Sequence, residues 1–80
     1  MLDLKIDYFM SQALLMAELA FKENEVPVGA VVVKDDQIIG KGYNQVIAHN
    51  SVTSHAEINA INDASQNTNN YRLNDCNIFV

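Results

Sequence analysis

The run Val26-Pro27-Val28-Gly29-Ala30-Val31-Val32-Val33 is the part of this chain that most narrows its possible folds. It is rich in β-branched residues, and Pro27 sits near its start, where a missing N–H is tolerated, so it reads as a strand. Lys34-Asp35-Asp36-Gln37 is a polar turn, and Ile38 to about Val46 reads as a second strand, which makes the pair an antiparallel hairpin. The run is eight residues long and contains Pro27 and Gly29, far short of the roughly 20 apolar residues that cross a bilayer, so no transmembrane helix is expected. Gly40-Lys41-Gly42 has some likeness to a phosphate-binding loop, but it lacks a third glycine and does not open a helix. Glycines inside a strand mark a bulge or a place where another backbone or a ligand comes close.

Upstream, Ile6, Phe9, Met10, Ala13, Leu14, Ala17, Ala20 and Phe21 recur at three- and four-residue steps between Leu4 and about Lys22. This is an amphipathic helix whose apolar stripe is read as core, with Asp3 placed to cap it and Glu18 and Lys22 as an i,i+4 pair. Downstream, Ala48 to Val52 reads as a polar loop. Ala56, Ala60 and Ala64, with Ile61, then form a small-residue face on a second helix from about Ser54 to Ser65, able to lie close to the sheet. Gln66 to Asn70 is a loop, and Asn77-Ile78-Phe79-Val80 opens a third strand. The expected architecture is α/β. The third strand joins the sheet beside the hairpin, parallel to its neighbour through a right-handed crossover, and helices cover the sheet.

Eighty residues allow one small domain, and 49% apolar with 19% charged residues is the composition of a folded one. Five Lys+Arg against ten Asp+Glu give a net charge of −5, which argues against these residues forming a nucleic-acid surface by themselves. Cys76 is the only cysteine, so no internal disulfide forms and a reducing compartment fits. Asp3 and Asp7 balance Lys5 and no secretory pattern follows, so a cytoplasmic location is expected. An end on Ile78-Phe79-Val80 would leave an apolar strand unprotected, and the natural protein is expected to continue.

The one compact chemical arrangement is Thr53-Ser54-His55-Ala56-Glu57, at the start of the second helix. It supports two readings. In the first, Ser54 and Glu57 form a capping box, Ser54 accepting from the Glu57 N–H and Glu57 reaching back to the Ser54 N–H. In the second, unpaired N–H groups and the positive dipole end disfavour imidazolium and leave a neutral His55 able to bind a metal, while Glu57 moves protons for a bound water.

His55-Ala56-Glu57, after Val26-Pro27-Val28-Gly29-Ala30 and Gly40-x-Gly42-x-Asn44, resembles the N-terminal part of the zinc-dependent nucleoside and nucleobase deaminases. Within them it most resembles the bacterial tRNA adenosine deaminases that make inosine at the wobble position. The resemblance runs over nearly the whole chain. It implies a cytidine-deaminase-like three-layer α/β/α fold, here limited to helix, β-hairpin, helix and third strand. It also implies that His55 is the single histidine ligand of a Zn2+ ion, one per subunit, and that Glu57 is the general acid/base. Asn44 would contact the flipped nucleoside, and the Ala56 amide would lie against the base. The tRNA anticodon loop as partner and a homodimer follow from the same resemblance, beside the cytoplasmic location and absence of membrane contact expected from the residues.

Two departures stand out. Ser51-Val52-Thr53-Ser54 replaces the D-P-T-A common before H-A-E, and the P-C-x-x-C that supplies two cysteine ligands is absent. Residues 1–80 are therefore expected to be the N-terminal part of a single deaminase domain, truncated before that motif, inactive alone and holding zinc weakly. Cys76 precedes the third strand, whereas the family's pair follows it, so Cys76 is read as a packed or tolerated thiol. His49 is read as solvent-exposed in its loop, and Arg72 beside Tyr71 as a helix-to-strand anchor. The alternatives are a deaminase of a free base or nucleotide (cytosine, guanine or a cytidine nucleotide) and a non-catalytic interaction module.

Overall fold

The computed structural model describes residues 4–80. The expected cap Asp3 lies outside the described residues. The chain forms α1 (Leu4–Lys22), β1 (Gly29–Lys34), β2 (Gln37–Tyr43), α2 (Val46–His49), α3 (Ala56–Thr68) and β3 (Asn77–Phe79).

β1 and β2 form the expected hairpin, closed by Asp35 and Asp36 at φ 53° and 63°. Positive φ at both central residues gives the turn the hand that matches strand twist, and aspartate tolerates that region better than most residues. Val32 pairs with Gly40 and Val33 with Ile38, so Ile39 is a bulge. β2 ends at Tyr43, earlier than the sequence suggests, and residues 46–49, read from sequence as the end of a strand and a loop, form α2 instead. The cause is distant in the chain. The buried Glu25 carboxylate accepts from the Ile47 and Ala48 N–H groups at 3.1 and 2.8 Å, satisfying the first-turn amides of a helix whose own N-cap side chain makes no bond.

The sheet order is β2-β1-β3, and β1 is antiparallel to both neighbours. The expected parallel pairing of the third strand is thus incorrect. Leaving β2 through α3, the chain crosses over β1 to its far side. β3 therefore runs parallel to β2, but its hydrogen-bonded neighbour is β1, which runs the opposite way.

Helices cover both faces of the sheet. Ala30 and Val32 of β1 pack with Ala56, Ala60 and Ala64 of α3, while Val31 and Val33 pack with Phe9 of α1 and with Phe79 of β3. The α1 stripe is narrower than its periodicity suggests. Phe9, Ala13 and Ala20 are buried, but Ile6, Leu14 and Phe21 remain 50%, 64% and 70% exposed. α1 rests mainly on β1, and residues on the flanks of the helix stay outside that contact. Glu18 and Lys22 are not paired; among the described residues the ion pair is Lys5–Asp36 at 2.8 Å. No helix among them is long and apolar enough to cross a membrane.

The glycines set the layer spacing. A β-carbon on Gly40 would lie 2.5 Å from the Ala60 carbonyl oxygen and 2.6 Å from the Ala64 nitrogen, and one on Gly42 would run into the Ala60 nitrogen and the Ala56 oxygen. Gly29 stands in the same relation to Ala13 and Ala17 of α1. Gly42→Ala forces backbone against backbone and should destabilise the fold by about 2–3 kcal/mol, read from the urea midpoint. An unchanged midpoint would mean that α3 can lift off the sheet freely.

Candidate functional site

The site is assembled where β2 ends and α3 begins. His55 is the residue before the helix, with extended backbone at φ −84° and ψ 158°, so helical geometry starts at Ala56. Ser54 is therefore one position too early to cap, and the expected capping box does not form; no side-chain bond is made from the cap residue. Instead the first amide of the helix is met from across the fold. Asn44, 6% exposed and just past β2, accepts the Ala56 N–H on Oδ1 at 2.8 Å. Asn44 is itself held by donating its backbone N–H to the Val28 carbonyl at 3.1 Å.

This bond fixes how Asn44 presents itself. With Oδ1 committed to a donor, the orientation of the amide is determined, and Nδ2 bonds to none of the described residues. Among the described residues no fully buried side-chain nitrogen or oxygen lacks a partner, so that Nδ2 is not sealed inside the fold. It is a donor held in one direction and left unspent. Ala56 itself is fully buried, while the flanking His55 and Glu57 are exposed. Glu57 sits in the first turn of α3, where a carboxylate is favoured by the helix dipole. Neither the His55 ring nor the Glu57 carboxylate is engaged in a hydrogen bond among the described residues, so both are available to a ligand. Of the four residues singled out from sequence, Asn44 and Ala56 are thus in direct contact, and His55 and Glu57 are the chain neighbours of Ala56.

Ser54, whose burial the sequence does not foretell, anchors the segment before His55. Its Oγ lies 2.8 Å from His49 Nδ1 and 3.0 Å from Asn59 Nδ2. His49 is exposed as expected, but it belongs to α2 and not to a loop. Nearby, the Tyr43 phenol donates to Glu23 Oε2 at 2.7 Å. That hydrogen bond, partial burial and the negative charges of Glu23 and Glu25 raise the phenol above its ordinary value of 10.0.

The remaining candidates lie apart from this point. Cys76 is half-buried on the α3 side of the sheet beside Leu73, its Sγ donating to the Asn74 carbonyl at 3.4 Å. Arg72 stacks over the exposed Tyr71 ring at 5.4 Å, a surface pair and not an anchor into the core. Among the described residues no three His, Cys, Asp or Glu side chains come together as a metal site. The exposed, uncommitted His55 ring is suited to serve as one ligand. A tetrahedral centre needs four, so the donors present do not complete one.

A family model described as the cytidine and deoxycytidylate deaminase zinc-binding region matches residues 4–80. The chain is 45% identical over 73 residues to a tRNA-specific adenosine deaminase of Streptococcus pyogenes serotype M18, covering 91% of this chain and 46% of that protein. It is 42% identical over 74 residues to a tRNA-specific adenosine deaminase of Aquifex aeolicus, covering 92% and 49%. A structure solved in a study of A-to-I editing by tRNA:A34 deaminases at the wobble position of transfer RNA aligns with a TM-score of 0.86 at 38% identity, over 90% of this chain and 52% of that one. The guanine deaminase of Bacillus subtilis aligns with a TM-score of 0.83 at 37% identity, over 90% and 46%. The chain spans about half the length of the curated relatives it matches.

Two measurements probe the geometry. Asn44→Leu leaves the buried Ala56 N–H without its acceptor and should destabilise the fold by about 1–3 kcal/mol; unaltered chemical denaturation would show that the amide has another partner. A phenol raised on folding contributes stability that is fully present below about pH 10 and lost as pH rises through its folded value. Tyr43→Phe should therefore lessen the fall in stability above pH 10, and parallel curves for the two proteins would rule out that contribution.

Proposed function

The chain belongs to the family of cytidine and deoxycytidylate deaminase zinc-binding regions, and from that membership we propose that the protein containing it is a zinc-dependent tRNA adenosine deaminase. It converts adenosine to inosine at the wobble position by hydrolysis. The observation that supports this reading is the 2.8 Å bond from the Ala56 N–H to Asn44 Oδ1, which ties Asn44 to the turn that carries His55 and Glu57 and leaves the Asn44 Nδ2 uncommitted. The tRNA-specific adenosine deaminases among its relatives supply the choice of substrate.

In this reading residues 1–80 are the N-terminal part of a single deaminase domain. His55 would hold zinc through its ring, with the other ligands supplied by sequence outside these 80 residues, because one imidazole cannot fill a four-ligand site. Bound zinc supplies Lewis-acid activation of water. Asn44 orients the flipped nucleoside with its unspent Nδ2, and the Ala56 backbone lies against the base. Glu57 accepts a proton from the attacking water and returns it to the departing ammonia, a role that an exposed carboxylate with no protein partner is free to fill. The partner is the tRNA anticodon loop, and the enzyme is a cytoplasmic homodimer. With a net charge of −5 on these residues, the RNA-binding surface falls in the rest of the protein or across the dimer interface.

A second reading has a specific observation behind it. The guanine deaminase structure is nearly as similar as the tRNA deaminase one, so a free purine base is the competing substrate. Inosine should form on a tRNA anticodon stem-loop with the full-length protein. Turnover of guanine, cytosine or a cytidine nucleotide in its place would reject the tRNA reading and keep the family. Glu57→Gln should lower kcat by about 10³-fold with zinc retained, and loss of zinc in that variant would make Glu57 a ligand. The isolated 80 residues should bind zinc substoichiometrically. Stoichiometric metal there would show that they complete the centre themselves.

A further inference from the structure

Three side chains on one flank of α3 bond to the outer edge of β2. Asn59 Nδ2 donates to the Tyr43 carbonyl at 2.8 Å, Asp63 Oδ2 accepts from the Lys41 N–H at 2.9 Å, and Asn67 Nδ2 donates to the Ile39 carbonyl at 2.9 Å. Steps of four along a helix advance about 6.0 Å, and steps of two along a strand advance about 6.6 Å. The two periods stay in phase over three rungs and so fix α3 lengthwise against β2. They also occupy edge groups that another strand would otherwise pair with.

Asn59 differs from the other two rungs. The same amide nitrogen lies 3.0 Å from Ser54 Oγ and 3.3 Å from the Ser54 carbonyl. Tyr43 immediately precedes Asn44, and Ser54 immediately precedes His55. Asn59 therefore ties together the two arms of the site one residue before each begins, parallel to the Gln45 N–H bond to the Ser54 carbonyl at 2.9 Å.

We propose that Asn59 is a positioning residue for the deaminase site, setting the separation between Asn44 and the His55-Ala56-Glu57 turn. The catalytic part of this inference rests on the deaminase reading; the geometric part does not. Small misplacements of reacting groups lower rates steeply, so the effect on catalysis should exceed the effect on stability.

The test compares Asn59→Leu and the isosteric Asn59→Asp with Asn67→Leu, which removes a rung remote from the site, all in the full-length protein. Both Asn59 variants should speed hydrogen exchange of the Ala56 amide by about tenfold and lower kcat/KM on the anticodon stem-loop by about tenfold. Asn67→Leu should leave both unchanged at a comparable fall in melting temperature. Exchange and kcat/KM that move alike in the Asn59 and Asn67 variants, or that move in neither, would overturn the proposal. If Asn59→Leu does not fold, Asn59→Asp decides. If the wild-type protein deaminates none of the substrates, the functional reading fails, and Ala56 exchange alone decides the role of Asn59.

Discussion

The contact of the α3 backbone with the β2 backbone is the constraint on which the rest of this molecule depends. Ala56, Ala60 and Ala64 present almost no side chain, and Gly40 and Gly42 present none, so helix and strand meet main chain to main chain. One methyl group at either glycine would drive the layers apart. With them in place, the end of β2 and the start of α3 are neighbours, and a side chain as short as Asn44 can span the gap to the Ala56 amide. The candidate site is a consequence of that spacing.

Close layers create a second requirement, that the polar groups they enclose be satisfied. Both helix starts after the hairpin are served by side chains remote in sequence: Glu25 for α2 and Asn44 for α3. This explains why a rule based on local sequence gives the wrong cap at Ser54. The capping box assumes that the helix must satisfy its own first amides, whereas here the partner is already in place across the fold. Ser54 is turned instead toward His49 and Asn59, and the helix starts one residue later than the local pattern suggests.

Much of the fold is legible in the residues. The β-branched run and polar turn specify the hairpin, and the alanine stripe with the strand glycines announces a close helix–sheet contact. His55 and Glu57 stand out by spacing, Asn44 and Ala56 by resemblance, and the fold bonds Asn44 to Ala56. Less legible are α2, the direction of β3 and the exposed half of the α1 stripe. Periodicity shows which residues share a face but not how much of that face a neighbour covers, so Ile6, Leu14 and Phe21 read as core and stand at the surface. A crossover from β2 reads as a parallel pair until it is known that the chain passes over an intervening strand.

By itself, then, the sequence determined the elements, the small-residue seam between α3 and β2, and the residue types available for chemistry, because these depend on side-chain volume, branching and spacing along one chain. Only the tertiary structure decided which strand β3 joins, that residues 46–49 coil into a helix around the Glu25 carboxylate, and that Asn59 ties Tyr43 to Ser54. These are contacts between residues far apart in the chain, and their energies depend on distances that no local pattern contains.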